Sequence, residues 1–321
     1  MAHRFIKDID AGETIDDVYI ISQPILRSTT RGDLYIAAYL CDRSGRLNGR
    51  MWQATEDTFK SIPREGFVHI KGRSEVYQNA IQIVVSHISV VRAEEVTLED
   101  FLARTSKDVN KMFARVKEIV GQVKNEPLQR LIEEFLTDGE LMGRFCQAPA
   151  AMLNHHNYLG GLLEHTLNML EAASVLLPLY PKVQPDLVLA GIFLHDIGKT
   201  AELSYDMAFG YTDSGQLLGH INQTVIMVEK KADLLATQGV KPDRPLLDNL
   251  EHIILSHHGA YEFGSPKLPA TLEAFMVNYI DNLDAKMNQV SAAIENEPGD
   301  GNWTNWQRNL ETKLYRKRLV D

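Results

Sequence analysis

The stretch GIFLHDIGKT, residues 191–200, sets the question for the 321-residue chain. An apolar run from Gly191 to Leu194 leads straight into His195 and Asp196, and Lys199 follows three residues later. An apolar run of this kind predicts a buried helix. A buried helix carries an imidazole, a carboxylate and an ammonium only if they satisfy one another or hold something. Adjacent helical residues lie about 100° apart, so His195 and Asp196 can flank one point beside the helix. Asp196 has two carboxylate oxygens and could bridge two cations.

Working outward, further polar groups sit at the margins of apolar helical stripes. GGLLEHTLNML places His165 in one such run, and LLGHINQTVIMV puts His220 in a first helical turn. HIILSHHGA ends a helix at His257 and His258, with Gly259 suited to the left-handed C-terminal position. FMVNYIDNLDAKM sets Asp281 directly after Tyr279 and Ile280. The recurrence of these groups on five helices predicts a shared metal site rather than separate core histidines.

The chain has two periods. From residue 15 to residue 92 it reads as about five short strands: VYIISQPILRST, DLYIAAYLCD, RLNGRMWQA, EGFVHIKGRSEVY and AIQIVVSHISVV. In the second, Leu34, Ile36, Ala38 and Leu40 alternate with Tyr35, Ala37, Tyr39 and Cys41. Five strands in so short a span suit a small barrel, with the OB-fold as the leading candidate. From Val96 the period becomes helical, starting at Thr97, whose Asp100 three residues on resembles a capping box. Helices are expected near 159–177, 185–197, 217–237, 245–258, 270–296 and 303–318. The predicted fold is therefore multidomain: an all-β barrel over 1–92, a junction over 93–104 and an all-α domain over 105–321.

Composition narrows the class. Hydrophobic residues make up 44% and charged residues 24%, as in ordinary globular proteins. No apolar run reaches the roughly 18 residues of a membrane span. MAHRFIKDID lacks the apolar core of a signal peptide, and Cys41 and Cys146 suggest no disulfide framework, so a cytoplasmic location is expected. The net charge of −10 argues against nucleic-acid binding by the whole surface. Residues 1–92 carry 12 Lys+Arg against 11 Asp+Glu, leaving 21 against 32 for the remainder.

The order His165, His195-Asp196, Asp281 resembles the H…HD…D pattern of HD-domain metal-dependent phosphohydrolases. His220 and His257-His258 match the extra histidines of its two-metal members. With HHNYLGGLLEHTLNM, YTDSGQLLGHI and the leading barrel, the chain is similar to the HD-domain 3′→5′ exoribonucleases of the YhaM type. The likeness covers essentially the whole chain and is strongest from 154 to 290. It implies removal of 5′-mononucleotides from single-stranded RNA 3′ ends, and self-association. HHGAYEFGSP departs from the HHE…GYP pattern of cyclic-di-GMP enzymes. The alternatives are a nucleotide phosphohydrolase or cyclic-nucleotide phosphodiesterase, and a non-catalytic single-strand binder with structural metals.

Phosphodiester hydrolysis by two metal ions would use His165, His195, Asp196 and Asp281 for one ion. Asp196, His220, His257 and either a ligand or substrate-contacting His258 would serve the second. Imidazole–carboxylate ligation suits Mn or Fe, with Co, Ni or Zn possible. Lys199 could stabilise phosphate charge, or pair with Asp196 or Glu202. Asp284 is expected as a solvated carboxylate more than as support for a ligand. His155 and His156 could contact the scissile phosphate or terminal sugar. In the barrel, Tyr35, Tyr39, Trp52 and Tyr77 could stack on bases of single-stranded RNA or DNA. Lys71, Arg73 and Arg50 could track its backbone. The end TKLYRKRLVD reads as a short basic helix.

Overall fold

The computed structural model describes residues 3–317 apart from 79, 98–99, 152–157, 205–209, 241–242, 296, 298–300 and 308–309. The chain divides into two compact units: Met1–Arg104 with Ser204–Gly210, and Thr105–Leu203 with Tyr211–Asp321.

The first unit is a closed five-stranded barrel. Its strands are β1 (Thr14–Ser28), β2 (Leu34–Asp42), β3 (Gly45–Trp52), β4 (Glu65–Tyr77) and β5 (Ala80–Val90), with the short helix α1 (Glu56–Ser61) between β3 and β4. The order around the barrel is β1-β2-β3-β5-β4, closed by β1 against β4. The β3–β5 pairing is parallel, and the other neighbours are antiparallel. This is an OB-fold-like barrel. Period-two alternation drives it: Ile15, Tyr19, Ile21, Ile36, Leu40, Val68, Ile70 and Ile83 turn inward into one core. The β1–β2 register shifts between Ser22 and Ile25, where Gln23 has a φ of 51° and Pro24 cannot donate to a ladder. Tyr19 keeps its ring in the core and donates its hydroxyl to the Arg4 carbonyl at 2.7 Å.

The second unit is helical: α2 (Val109–Val120), α3 (Glu126–Leu136), α4 (Gly139–Gln147), α5 (Gly161–Leu176), α6 (Pro185–Leu194), α7 (Lys199–Glu202), α8 (Asp213–Thr237), α9 (Arg244–Ser256) and α10 (Leu272–Glu295). The amphipathic helices α2 and α3 bury Val116 and Ile119, and Leu131 and Phe135, and start at side-chain caps from Asp108 and Asn125. Beyond its first turn, helix α6 is apolar all round, and every residue from Leu187 to Leu194 is buried, so it runs through the core of this unit. Among the described residues, no helix is long and apolar enough to cross a membrane.

Three expectations are corrected. The helix predicted from Thr97 does not form among the described residues. A single turn closes there, with Asp100 donating its N–H to the Thr97 carbonyl, and Phe101 instead packs against Phe67 and His3. The helix expected over 303–318, with its basic end, is replaced among the described residues by bridges pairing Trp303 with Tyr315 and Gln307 with Thr312. Local charge patterning there yields to cross-strand pairing, supported by an edge-to-face Trp303–Tyr315 contact at 5.1 Å. Helix α8 begins at Asp213 rather than near 217 and is broken at Gly219, where φ is 71° and ψ is 153°.

Candidate metal centre

The end of α6 builds the centre of the site. His195 caps the helix, and the chain turns sharply through Asp196–Gly198 into α7, with Lys199 N–H bonded to the Asp196 carbonyl. The turn abuts α8 through Gly198, where an added Cβ would lie 2.2 Å from the His220 carbonyl oxygen. The break at Gly219 frees the His220 backbone N–H, which donates to Glu202 Oε1 at 3.0 Å. His165 enters from α5, His257 and His258 from the end of α9, and Asp281 and Asp284 from α10.

The histidine rings are fixed through one nitrogen each. His195 Nδ1 donates to the Ile192 carbonyl at 2.7 Å and His257 Nδ1 to the Ile254 carbonyl at 2.7 Å. His258 Nδ1 donates to the Phe263 carbonyl at 2.8 Å. His165 Nδ1 meets Asp284 Oδ2 at 2.7 Å, and His220 Nδ1 meets Glu202 Oε2 at 3.0 Å. This wiring turns the Nε2 atoms of His165, His195, His220 and His257 toward Asp196. His195 Nε2 lies 3.3 Å from Asp196 Oδ2 and 3.3 Å from His165 Nε2. His220 Nε2 and His257 Nε2 lie 3.3 and 3.5 Å from Asp196 Oδ1, and His165 Nε2 lies 3.2 Å from Asp281 Oδ1.

Acceptors facing acceptors at these distances repel unless a cation lies among them. Asp196 Oδ1, His220 Nε2 and His257 Nε2 are buried and make no hydrogen bond. Three sets of donor atoms converge within 4.8 Å: His165, His195 and Asp281; His195, Asp196 and His257; and His220, His257 and His258. The residues present therefore fit divalent cations held by imidazole and carboxylate.

The electrostatics agree. Burial disfavours charge on His165, yet Asp281 and Asp284 outweigh it and hold its pKa up at about 9. The pocket demands positive charge, and a proton supplies it where a metal does not. Burial likewise opposes ionisation of Asp196, but Lys199 and His195 keep it well below the usual carboxylate range. Burial pushes His258 down to about 3 with help from neighbouring His257, so this ring is neutral at any working pH.

Lys199 Nζ bonds Asp196 Oδ2 at 2.6 Å, the pairing that sequence allowed as its alternative, and also lines the adjoining cleft. Asp284 corrects the expectation of a solvated carboxylate, because it clamps His165 and accepts from Asn168 at 2.9 Å. Glu202, which the sequence offers only as a partner for Lys199, holds both the ring and the backbone N–H of His220. Its three-residue spacing from Lys199 in GKTAEL was the available signal. His155 and His156 lie outside the described residues. A larger cavity of about 740 Å³, lined by Leu128, Pro178 and Leu246 among others, contains none of these groups.

On the barrel, Tyr35 and Trp52 pair across β2 and β3 with centroids 5.0 Å apart. The Arg50 guanidinium lies 4.6 Å from the Tyr77 ring centre and 5.8 Å from that of Trp52. Four of the expected contact residues thus form one patch. Tyr39 is held separately under Arg46. Lys71 and Arg73 are engaged elsewhere: Lys71 with Asp16 at 3.0 Å, and Arg73 with the Gly12 carbonyl at 3.2 Å.

Residues 162–286 match the family described as HD domain. The helical unit thus carries an HD domain, which indicates the class of metal-dependent phosphohydrolases for that region. Among solved structures, the second OB-fold domain of replication protein A from Methanococcus maripaludis matches at 16% identity and a TM-score of 0.22, over 28% of this chain and 95% of that one. A replication protein A heterotrimer bound to ssDNA matches at 19% identity and a TM-score of 0.20, over 36% of this chain and 75% of that one.

Proposed function

We propose that this protein is a metal-dependent 3′→5′ exoribonuclease that hydrolyses single-stranded RNA and releases 5′-mononucleotides. The observation that carries the reading is the convergence of hydrogen-bond-deprived Nε2 and carboxylate atoms on Asp196. His165, His195, Asp196 and Asp281 would hold one cation, and Asp196, His220, His257 and His258 a second, with Asp196 shared. Ions held there would supply a hydroxide at neutral pH and neutralise charge on phosphorus. Manganese or iron suits this donor set best.

The chain's own residues do the rest. Glu202 and Asp284 orient His220 and His165, so the donor lone pairs converge before any ligand arrives. Lys199, paired with one oxygen of Asp196, aligns that carboxylate and offers an ammonium to a non-bridging phosphate oxygen. Residues 1–92 serve as the strand-binding domain, with 93–104 as the junction to the hydrolase. Bases stack on Tyr35, Trp52 and Tyr77 while Arg50 supplies charge. The polarity of digestion rests on the resemblance set out from the sequence.

A time course on 5′-labelled single-stranded RNA with Mn²⁺, run beside Asp196→Ala, tests the reading. A ladder shortening from the 3′ end, absent in the variant, is the expected result. Intact RNA bound by metal-loaded protein overturns it, and hydrolysis confined to small nucleotides would assign the site to the free-nucleotide branch.

A further inference from the structure

Beside the histidine cluster opens a cleft of about 440 Å³, within the size class that encloses one small ligand. Asp196, Asp281, Lys199 and His258 line it. Helix α10 also contributes Asn282, Lys286 and Gln289, on successive turns, and Phe263 belongs to the same lining.

Phe263 is an unusual member of this lining. It is 68% exposed, although nearly everything else in the cleft is polar or charged. The ring is carried on the tight turn Tyr261–Phe263, which Gly264 closes at a φ of 85°. Its own carbonyl accepts from His258 Nδ1 at 2.8 Å, so the turn is tied directly to a ring of the metal cluster. Ser265 adds a second tie, donating to the Leu255 carbonyl at 3.2 Å. An aromatic face held in place yet left in water is arranged for a flat partner.

We propose that Phe263 is the base platform of a single-nucleotide subsite. The phosphate rests beside the metal centre, with Lys199 and Lys286 of the lining supplying positive charge. The base stacks on Phe263, and the amides of Asn282 and Gln289 meet its edge or the ribose. One flat apolar face among amides and ammonium groups matches a nucleotide better than a lipid or an apolar peptide. This deepens the phosphodiesterase reading and rests on it, because the phosphate needs the metal centre beside it.

The test is calorimetric binding to the full-length, Mn²⁺-loaded protein of two probes sharing a phosphate: AMP, and ribose 5-phosphate, which lacks the base. The wild type should favour AMP by about 5- to 150-fold, the range for stacking one base on one ring. Phe263→Ala should bring that ratio close to one, and Phe263→Trp should keep it. Asn282→Ala, at an exposed helix position, should lower the ratio partway. Equal binding of the probes by the wild type, or an AMP preference that survives Phe263→Ala, overturns the subsite while leaving the metal centre standing. Failure of both probes to bind the metal-loaded protein overturns the subsite and the phosphodiesterase reading together.

Discussion

His3 in the barrel and His165 in the helical unit share an electrostatic setting. Each ring lies between two carboxylates: His3 between Asp17 and Asp42 at 3.1 and 3.2 Å, His165 between Asp281 and Asp284 at 3.2 and 2.7 Å. In each case burial opposes the charge, the carboxylates win, and the pKa stands at about 9. Their surroundings differ. Around His3, the buried Asp42 is consumed by local donors: the Ile6 N–H, the Ser44 N–H and the Ser44 hydroxyl, all at 2.6 Å. Around His165, further acceptors crowd in, with His195 Nε2 at 3.3 Å and Asp196 Oδ2 at 3.9 Å. A raised histidine pKa therefore says little by itself. What sets the second cluster apart is the convergence of several unpaired buried atoms, Asp196 Oδ1, His220 Nε2 and His257 Nε2, on one point.

The largest break of this comparison comes from Asp196→Asn. Metal content measured after dialysis should collapse, and turnover should fall by roughly 10³-fold or more, while the barrel remains folded. His3→Ala should do the converse, costing the barrel about 2 kcal/mol through lost charge-assisted hydrogen bonds to Asp17 and Asp42 and leaving metal content at the wild-type level. Thermal unfolding followed beside metal analysis reads both. Glu202→Gln and Asp284→Asn should each weaken metal affinity by about 10- to 100-fold without abolishing binding. Titration with Mn²⁺ would detect this, and unchanged affinity would remove the positioning role.

Acidity sharpens the same contrast. A proton and a metal ion compete for His165 Nε2, so metal affinity should rise roughly tenfold per pH unit and level off near the His165 pKa of about 9. His3 runs the other way. Its folded pKa of about 9 exceeds the ordinary histidine value of 6.5, so its stabilisation is complete below 6.5 and lost as pH rises through 9. Barrel stability should therefore decline over the interval in which metal affinity climbs. Parallel changes in the two would show that the histidines are not independent.

The barrel was legible because alternation along the strands states which side chains turn inward, as Ile36 and Leu40 do. The helical character of the second unit was legible for a related reason, since α6 is apolar from Leu187 to Leu194. The converging residues were found because each is a polar group set in an apolar stripe. Supporting groups were harder to read. Nothing local separates Asp284 from any exposed helix carboxylate until α5 brings His165 beside it. Phe263 was hidden similarly, since an aromatic residue in a loop reads as packing until the cleft is seen. The helix expected over 303–318 failed because pairing between Trp303 and Tyr315 joins positions too far apart for a helical period to register.

The five imidazoles are wired in two ways. His195, His257 and His258 donate to backbone carbonyls, whereas His165 and His220 donate to carboxylates. A carboxylate pushes electron density through the ring that a neutral carbonyl cannot match, so two of the five are richer donors than their neighbours. One belongs to each side of Asp196. The cluster thus mixes two strongly donating rings with three weaker ones, and Glu202 and Asp284 could change that balance without altering any of the five histidines.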